Sequence, residues 1–157
     1  YKRQLGMCIK NGIIYGDYMT SYSVMAVKKD GTIYTPAQGL MGKNLLAAGV
    51  KDTYNFGPVL IKDGEAQLPW AETEKYYPRT AVGMVKPNDY VLLVTDTGSY
   101  NGLNHWDMVN IFKSYGCTYA YNLDGGGSAT LYFNGKVMNK LIGNTQRPCA
   151  DFLYFTR

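Results

Sequence analysis

The sequence predicts an α+β fold, a mixed and largely antiparallel β-sheet with hairpins and two main helices packed on it. Three observations lead there. Short apolar runs are joined by Asn11-Gly12, Asp30-Gly31, Asp63-Gly64 and Asn134-Gly135, dipeptides that favour tight turns between paired strands. Only two stretches show helical spacing of apolar residues behind a capping residue. Fifteen tyrosines and eighteen glycines weight the chain toward strands and turns. At 157 residues, 46% apolar and 18% charged, it has one domain's length and apolar side chains enough for a sizeable core.

The first hairpin is read from Gln4 to Ile9 and Ile13 to Tyr15 around Lys10-Asn11-Gly12. A second runs from Ser23 to Lys28 and Thr32 to Tyr34 around Lys29-Asp30-Gly31. Between them Gly16 to Tyr22 is polar and aromatic, a surface loop. Thr35 and Pro36 suit a helix cap and first helical position, after which Ala37, Leu40, Met41, Asn44, Leu45 and Ala48 share a face and Gly49 closes the helix. Gly39 and Gly42 weaken it. Tyr54 to Ile61 reads as one strand interrupted at Gly57-Pro58, which points to an edge or a bulge. Glu65 to Tyr77 is irregular, and its Trp70 and Tyr76-Tyr77 suit either an aromatic sugar platform or a loop packed by its own rings.

Thr80 to Val85 is the next strand, and Tyr90 to Thr95 is a continuous apolar run suited to the middle of a sheet. Asn104 caps a helix from His105 to Tyr115, with Asp107 in the first turn, Gly116 at the close, and Met108, Val109, Phe112 and Tyr115 as its buried face. Strands Thr118 to Asn122 and Ala129 to Phe133 flank a glycine corner, and Asn134-Gly135 turns the latter into Lys136 to Met138. Leu141 to Gln146 is a loop, and Ala150 to Thr156 a last strand that ties down the C-terminus.

Net charge is +4 with no block of Lys or Arg, so nucleic acid is not an expected partner; the mild positive charge suits an anionic polymer or phosphodiester. No apolar run is long enough to span a membrane. Cys8, Cys117 and Cys149 lack CxxC spacing and His105 is the single histidine, which argues against zinc. The cysteines read as one disulfide with a free thiol or as three buried thiols. No cofactor is expected, with a divalent cation such as Ca²⁺ or Mg²⁺ left open at Asp96 and Asp124.

Functional signal concentrates in Tyr121 to Leu131, YNLDGGGSATL. Gly125, Gly126 and Gly127 can take positive φ and admit a ligand close to the main chain. Their N–H groups, with the Ser128 hydroxyl, suit an anion. Asp124 would repel a bound dianion, so it argues for chemistry, a metal or a sugar hydroxyl; the alternative is a tight corner in which Asp124 accepts hydrogen bonds from the turn. Arg79 at the mouth of a strand can fork onto phosphate oxygens or pair with Glu72 or Glu74.

NLDGGGSATL, preceded by PRTAVG at Pro78 to Gly83, resembles the phosphodiester glycosidase family, which includes the mannose 6-phosphate uncovering enzyme and many bacterial envelope proteins. YNFGPVLIKDG at Tyr54 to Gly64, LLVTD ending in Asp96, NGKVMN and QRPCADFLYF are similar to further family segments and run in family order from about Gly6 onward. Where the family commonly shows Asp-Gly-Arg, this chain reads Asp96-Thr97-Gly98, a departure that bears on substrate detail. The resemblance implies one phosphodiester glycosidase-like domain over 1–157, with an earlier strand segment carrying an Asn-Gly motif expected upstream, and an extracellular or cell-envelope setting.

It also implies hydrolysis of a sugar 1-phosphodiester, acting on envelope or exopolysaccharide glycans. Phosphate is a far weaker base than an alkoxide, so leaving-group protonation matters less and cation clamping more than in ordinary glycosidases. On this reading Asp124 is nucleophile or water-activating base, with Asp96 the alternative for that role. Arg79, Gly125, Gly126, Gly127 and Ser128 hold the phosphodiester, and Asn122 and Asn139 bond sugar hydroxyls or orient Asp124. Arg147 is a second phosphate candidate, or else a salt bridge to Asp151. Rival readings are a glycan-binding module without turnover and a metal-dependent phosphodiesterase.

Overall fold

The structure is a computed structural model that describes residues 6–18, 20–68, 75–96 and 101–155. Strands β1 (Cys8–Lys10) and β2 (Ile13–Gly16) form the first hairpin, and β3 (Ser23–Lys28) and β4 (Ile33–Tyr34) the second. After α1 (Gly42–Ala47) come β5 (Val50–Phe56), β6 (Val59–Lys62) and β7 (Glu65–Ala66). Then follow β8 (Thr80–Lys86), β9 (Asp89–Val94), α2 (His105–Ser114), β10 (Tyr119–Leu123) and the hairpin of β11 (Tyr132–Phe133) and β12 (Lys136–Val137). Among the described residues the strands make a five-stranded sheet in the order β7-β6-β10-β8-β9, a three-stranded sheet β4-β3-β5, and the pairs β1-β2 and β11-β12. Every strand pair in them is antiparallel.

Strand alternation builds the layers. On β10, Ala120 faces the core under α2 with Met108, Val109 and Phe112, while Tyr119 and Tyr121 face the three-stranded sheet and meet Met25 and Tyr54. On β3, Met25 faces that inter-sheet core, and Val24 and Ala26 face a third core with Met7, Ile9, Leu45 and Val50. The five-stranded sheet is thus covered by α2 on one face and by the second sheet on the other. Buried tyrosines satisfy their hydroxyls across the layers. Tyr121 Oη donates to Ser23 O at 2.6 Å and accepts the Phe56 N–H at 2.8 Å, and Tyr119 Oη shares a 2.7 Å hydrogen bond with Thr35 Oγ1. Burial raises the pKa of both phenols, so they stay neutral donors.

The structure corrects several expectations. The first helix begins at Gly42, not at Thr35-Pro36, because Gly39 takes a left-handed φ of 84° that stops helical propagation; the Asp17 carboxylate then accepts the Gly42 N–H at 2.6 Å. The run Tyr54 to Ile61 is two strands in two sheets, divided at Gly57-Pro58. The apolar strand β9 lies at an edge instead of the middle: Val91 and Leu93 pack toward α2 and Tyr90 reaches the inter-sheet core, but Leu92 stays 46% exposed.

Ala129 to Phe133 is strand only at its last two residues, since Gly126–Ser128 takes a 3-10 turn. Ala150 to Phe155 lies over the inter-sheet core through Leu153 without joining a ladder. Conversely, the connection read as irregular contains β7, and Tyr77 bridges to Leu103. All three cysteines are free thiols: Cys8 half-buried, Cys117 buried and Cys149 exposed. The helix at His105 matches its expected cap: Asn104 Oδ1 accepts the Asp107 N–H at 2.8 Å and Asp107 Oδ2 accepts the Asn104 N–H at 3.3 Å. Gln4, Trp70, Glu72, Glu74, Thr97 to Tyr100 and Thr156 lie outside the described residues. No helix among the described residues is long and apolar enough to cross a membrane.

Replacing Tyr121 by Phe removes the hydroxyl that ties the two sheets and leaves the Phe56 N–H without its acceptor. The expected loss is about 1–3 kcal/mol of stability, read as a lower denaturant midpoint at unchanged slope.

Candidate active site

The register of the five-stranded sheet fixes which groups meet. Strand β8 sits between β9 and β10, with Thr80 opposite both Val94 and Leu123. The start of β8 and the ends of β9 and β10 therefore lie at one edge, and Arg79, Asp96 and Asp124 follow from three neighbouring strands. Pairing continues one step past the sheet, where Thr95 N–H donates to Arg79 O at 2.9 Å and Arg79 N–H to Thr95 Oγ1 at 3.0 Å. The strands bearing the two aspartates are not adjacent. Two ladder spacings, about 10 Å, separate their backbones, with Arg79 between.

The glycine corner owes its composition first to packing. A Cβ on Gly125 would stand 2.5 Å from Pro78 O, a contact that real side chains do not make, and the next N–H, of Gly126, donates to that same carbonyl at 2.8 Å. Gly126 has φ of 57° and open space around its Cβ position. The N–H groups of Gly126, Ser128 and Ala129 are bound to Pro78 O, Gly125 O and Gly126 O, so the turn does not present an uninterrupted nest of donors. The segment is a tight 3-10 turn docked on the PRTA segment.

Around that turn, side chains take definite positions. Ser128 Oγ donates to Asp124 Oδ2 at 2.7 Å, so the serine holds the exposed carboxylate, the arrangement that the tight-corner reading describes for the acid. Arg147 passes over Gly127, its Cδ 3.4 Å from where a Cβ would sit. Its expected partner Asp151 is instead paired with Lys10 at 3.3 Å, and Arg147 is exposed. Arg79 is half-buried: Nε donates to Leu103 O at 3.1 Å and Nη2 to Lys75 O at 3.0 Å, with the Tyr77 ring 5.4 Å from its guanidinium carbon. Burial lowers its pKa and Tyr77 opposes the shift. The edge of Arg79 that would fork onto phosphate thus braces two main-chain segments of the mouth.

Asn122 is 2% exposed and turns inward. Its Nδ2 donates to Gly57 O at 2.7 Å, and its main chain exchanges hydrogen bonds with Gly57 N–H and Pro58 O, clamping the break between β5 and β6. Its buried Oδ1 has no hydrogen-bond partner among the described residues. Asn139 accepts the Leu131 N–H at 2.7 Å and donates to Ala129 O at 2.9 Å, pinning the chain that leaves the corner. Lys140 N–H donates to Asp96 Oδ2 at 2.8 Å, fastening that excursion to the end of β9.

Beside these groups opens a cleft of about 660 Å³ lined in part by Asp96, Asp107, Thr95, Tyr76 and Asn139, roomy enough for a sugar. Tyr76 lines it as the sugar-platform alternative for the Tyr76-Tyr77 pair expects, whereas Asp107 was not among the expected site residues. In sequence Asp107 is indistinguishable from a first-turn helix acid, a role it does fill; only the fold shows that α2 begins at the cleft wall. No group of three or more His, Cys, Asp or Glu suited to a metal occurs among the described residues.

The chain belongs to the phosphodiester glycosidase family, which it matches over residues 1–156. It is 31% identical over 160 residues to the SPbeta prophage-derived uncharacterized protein YomE of Bacillus subtilis (strain 168), covering 95% of this chain and 25% of that protein. It is 27% identical to N-acetylglucosamine-1-phosphodiester alpha-N-acetylglucosaminidase of Mus musculus, covering 86% of this chain and 30% of the relative. The catalytic domain of the zebrafish protein of that name, auto-inhibited by its pro-peptide, superposes with a TM-score of 0.69 at 23% identity, over 87% of this chain and 50% of that one, a likeness of fold. The chain thus spans well under half the length of these curated relatives.

Gly125→Ala must push the turn off Pro78, and a loss of about 1–3 kcal/mol is expected, as for overpacking in a core. Gly127→Ala meets only the flexible Arg147 stem, and its melting temperature should stay nearer that of the parent in the same thermal scan.

Proposed function

We propose that this domain hydrolyses a sugar 1-phosphodiester at the glycosidic carbon–oxygen bond, releasing the sugar and leaving a phosphomonoester. The observation that carries the reading is the grouping at the corner: Asp124, held by Ser128, stands on a turn crossed by the exposed cation Arg147, at the meeting of three strand ends. Asp124 acts as nucleophile or as base for water at the anomeric carbon. Asp96, one oxygen of which is bound to Lys140 N–H, lines the neighbouring cleft and is the alternative for that role.

Arg147 takes the phosphate, with Arg79 ordering the mouth, and the glycines let the diester lie against the main chain. The sugar enters the cleft, whose wall carries Asp96 and Asp107, with Asn139 holding the exit segment beside it. The names of the mouse and zebrafish relatives support N-acetylglucosamine as the sugar. An envelope or exopolysaccharide glycan, met outside the cell, is the substrate this reading favours. A grip on such a glycan without turnover is the second reading, favoured by one observation: the phosphate-forking edge of Arg79 is turned to backbone carbonyls.

Turnover of a soluble GlcNAc phosphodiester tests the first reading. Asp124→Asn is expected to lower kcat by about 10²–10⁴, the usual range for a lost acid or base group, with the fold intact by circular dichroism. In ¹⁸O-labelled water the label should enter the sugar at C1. Label in phosphate would mean phosphorus–oxygen cleavage, and full turnover in both Asp124→Asn and Asp96→Asn would remove the catalytic assignment.

Arg147→Ala should raise KM and lower kcat/KM by about tenfold or more, given about 1.5–3 kcal/mol for a hydrogen bond to a charged group. An unchanged kcat/KM would show that the cation over Gly127 does not hold phosphate.

A further inference from the structure

A second cleft lies away from the glycine corner, bounded by β3, β5, the turn between β8 and β9, and the segment Ala150 to Phe155. Asn88, on its wall, is at the opposite end of β9 from Asp96, about 20 Å along a six-residue strand. Its volume is about 740 Å³, within the range of small-ligand sites.

The charges around it are unequally matched. Lys10, Lys29 and Lys51 line it, against Asp52 and Asp151. Asp151 is paired with Lys10 at 3.3 Å, and Asp52 accepts the Asn11 N–H at 2.9 Å. Lys10 is further held by Thr53 O at 3.1 Å and by the Tyr54 ring, 3.6 Å from its ammonium. Lys29 and Lys51 are exposed and, among the described residues, have no ion pair. They are also held near one another, since Lys29 N–H donates to Gly49 O while Lys28 pairs with Val50.

Aromatic faces supply the rest of the wall. Phe155 packs on Tyr90 with centroids 5.2 Å apart, and Phe152 lies 5.9 Å from Tyr154, yet Phe152 is 77% and Tyr154 67% exposed. Rings left facing water beside exposed lysine ammonium groups suit the apolar face of a sugar whose polar substituents reach those groups. Three lysines against two aspartates leave an excess of one positive charge, which adds a preference for negative charge.

We propose that this cleft is a second glycan-binding site, taking a sugar segment that bears a carboxylate or phosphate and holding the polymer away from the reacting end. It rests on the proposed function only for the kind of polymer met, because binding here needs no bond cleavage. The test therefore uses the full chain with Asp124→Asn and Asp96→Asn, so that probes persist whether or not the parent hydrolyses them.

Calorimetric titration at low salt is made with tetragalacturonate, with a glycerol-phosphate tetramer and with neutral chitotetraose. At least one anionic probe should bind more tightly than chitotetraose, and which one does so identifies the charged substituent. Adding Lys29→Ala and Lys51→Ala should weaken that binding at least tenfold, and Phe152→Ala with Tyr154→Ala at least fivefold. Lys113→Ala with Lys136→Ala, an exposed pair elsewhere, should change it less than twofold. Absence of binding by both anionic probes, equal binding of chitotetraose, or equal losses from the two lysine pairs would overturn the proposal.

Discussion

The contact between Gly125 and the Pro78 carbonyl is the constraint on which the site depends. A carbonyl 2.5 Å from a Cβ position leaves no room for any side chain, and the Gly126 N–H closes on the same oxygen. That pair of interactions sets the turn that follows Asp124 against the start of β8, with Gly125 on the Arg79 backbone and Gly127 under the Arg147 stem. Without it the carboxylate would sit on a loose loop, and the energy needed to order it would be drawn from substrate binding.

The surrounding polar groups divide into two kinds. Arg79, Asn122 and Asn139 are turned to main-chain atoms and hold the break at Gly57-Pro58, the mouth and the exit of the corner. Asp124 and Arg147 stand exposed. Such a division is what a preorganised site requires, since groups that meet substrate must be held by neighbours whose own hydrogen bonds are satisfied. Of the two arginines that sequence reasoning offers to phosphate, Arg147 is the exposed one and Arg79 the one bound to carbonyls.

Much of the fold was legible because turn chemistry and strand alternation are local. Asn11-Gly12, Asp30-Gly31 and Asn134-Gly135 mark hairpins that form, and Asn104 caps the helix it was expected to cap. Errors arose where a tertiary contact decides. Nothing in Tyr90 to Thr95 reveals that the strand takes an edge position and leaves Leu92 exposed, and nothing in Thr35-Pro36 reveals that Gly39 will turn left-handed. At the site, the DGGGS segment announced itself by composition, but the reason for its first glycine lies 47 residues earlier, at Pro78. Asp107 was hidden because a place in the first turn of a helix accounts for it in sequence. Arg79 illustrates the converse: its position at a strand mouth was readable, whereas the direction of its guanidinium follows from carbonyls at Lys75 and Leu103 that only folding brings near.

The shared mouth is tested most directly by a crystal structure of the domain with a non-hydrolysable GlcNAc phosphonate diester. Phosphonate oxygens within hydrogen-bond reach of Arg147, with the anomeric carbon facing Asp124 and the sugar ring in the cleft beside Asp96, are the expected result. Ligand bound elsewhere, with the turn at Gly125 to Gly127 untouched, would contradict a single site built from the three strand ends.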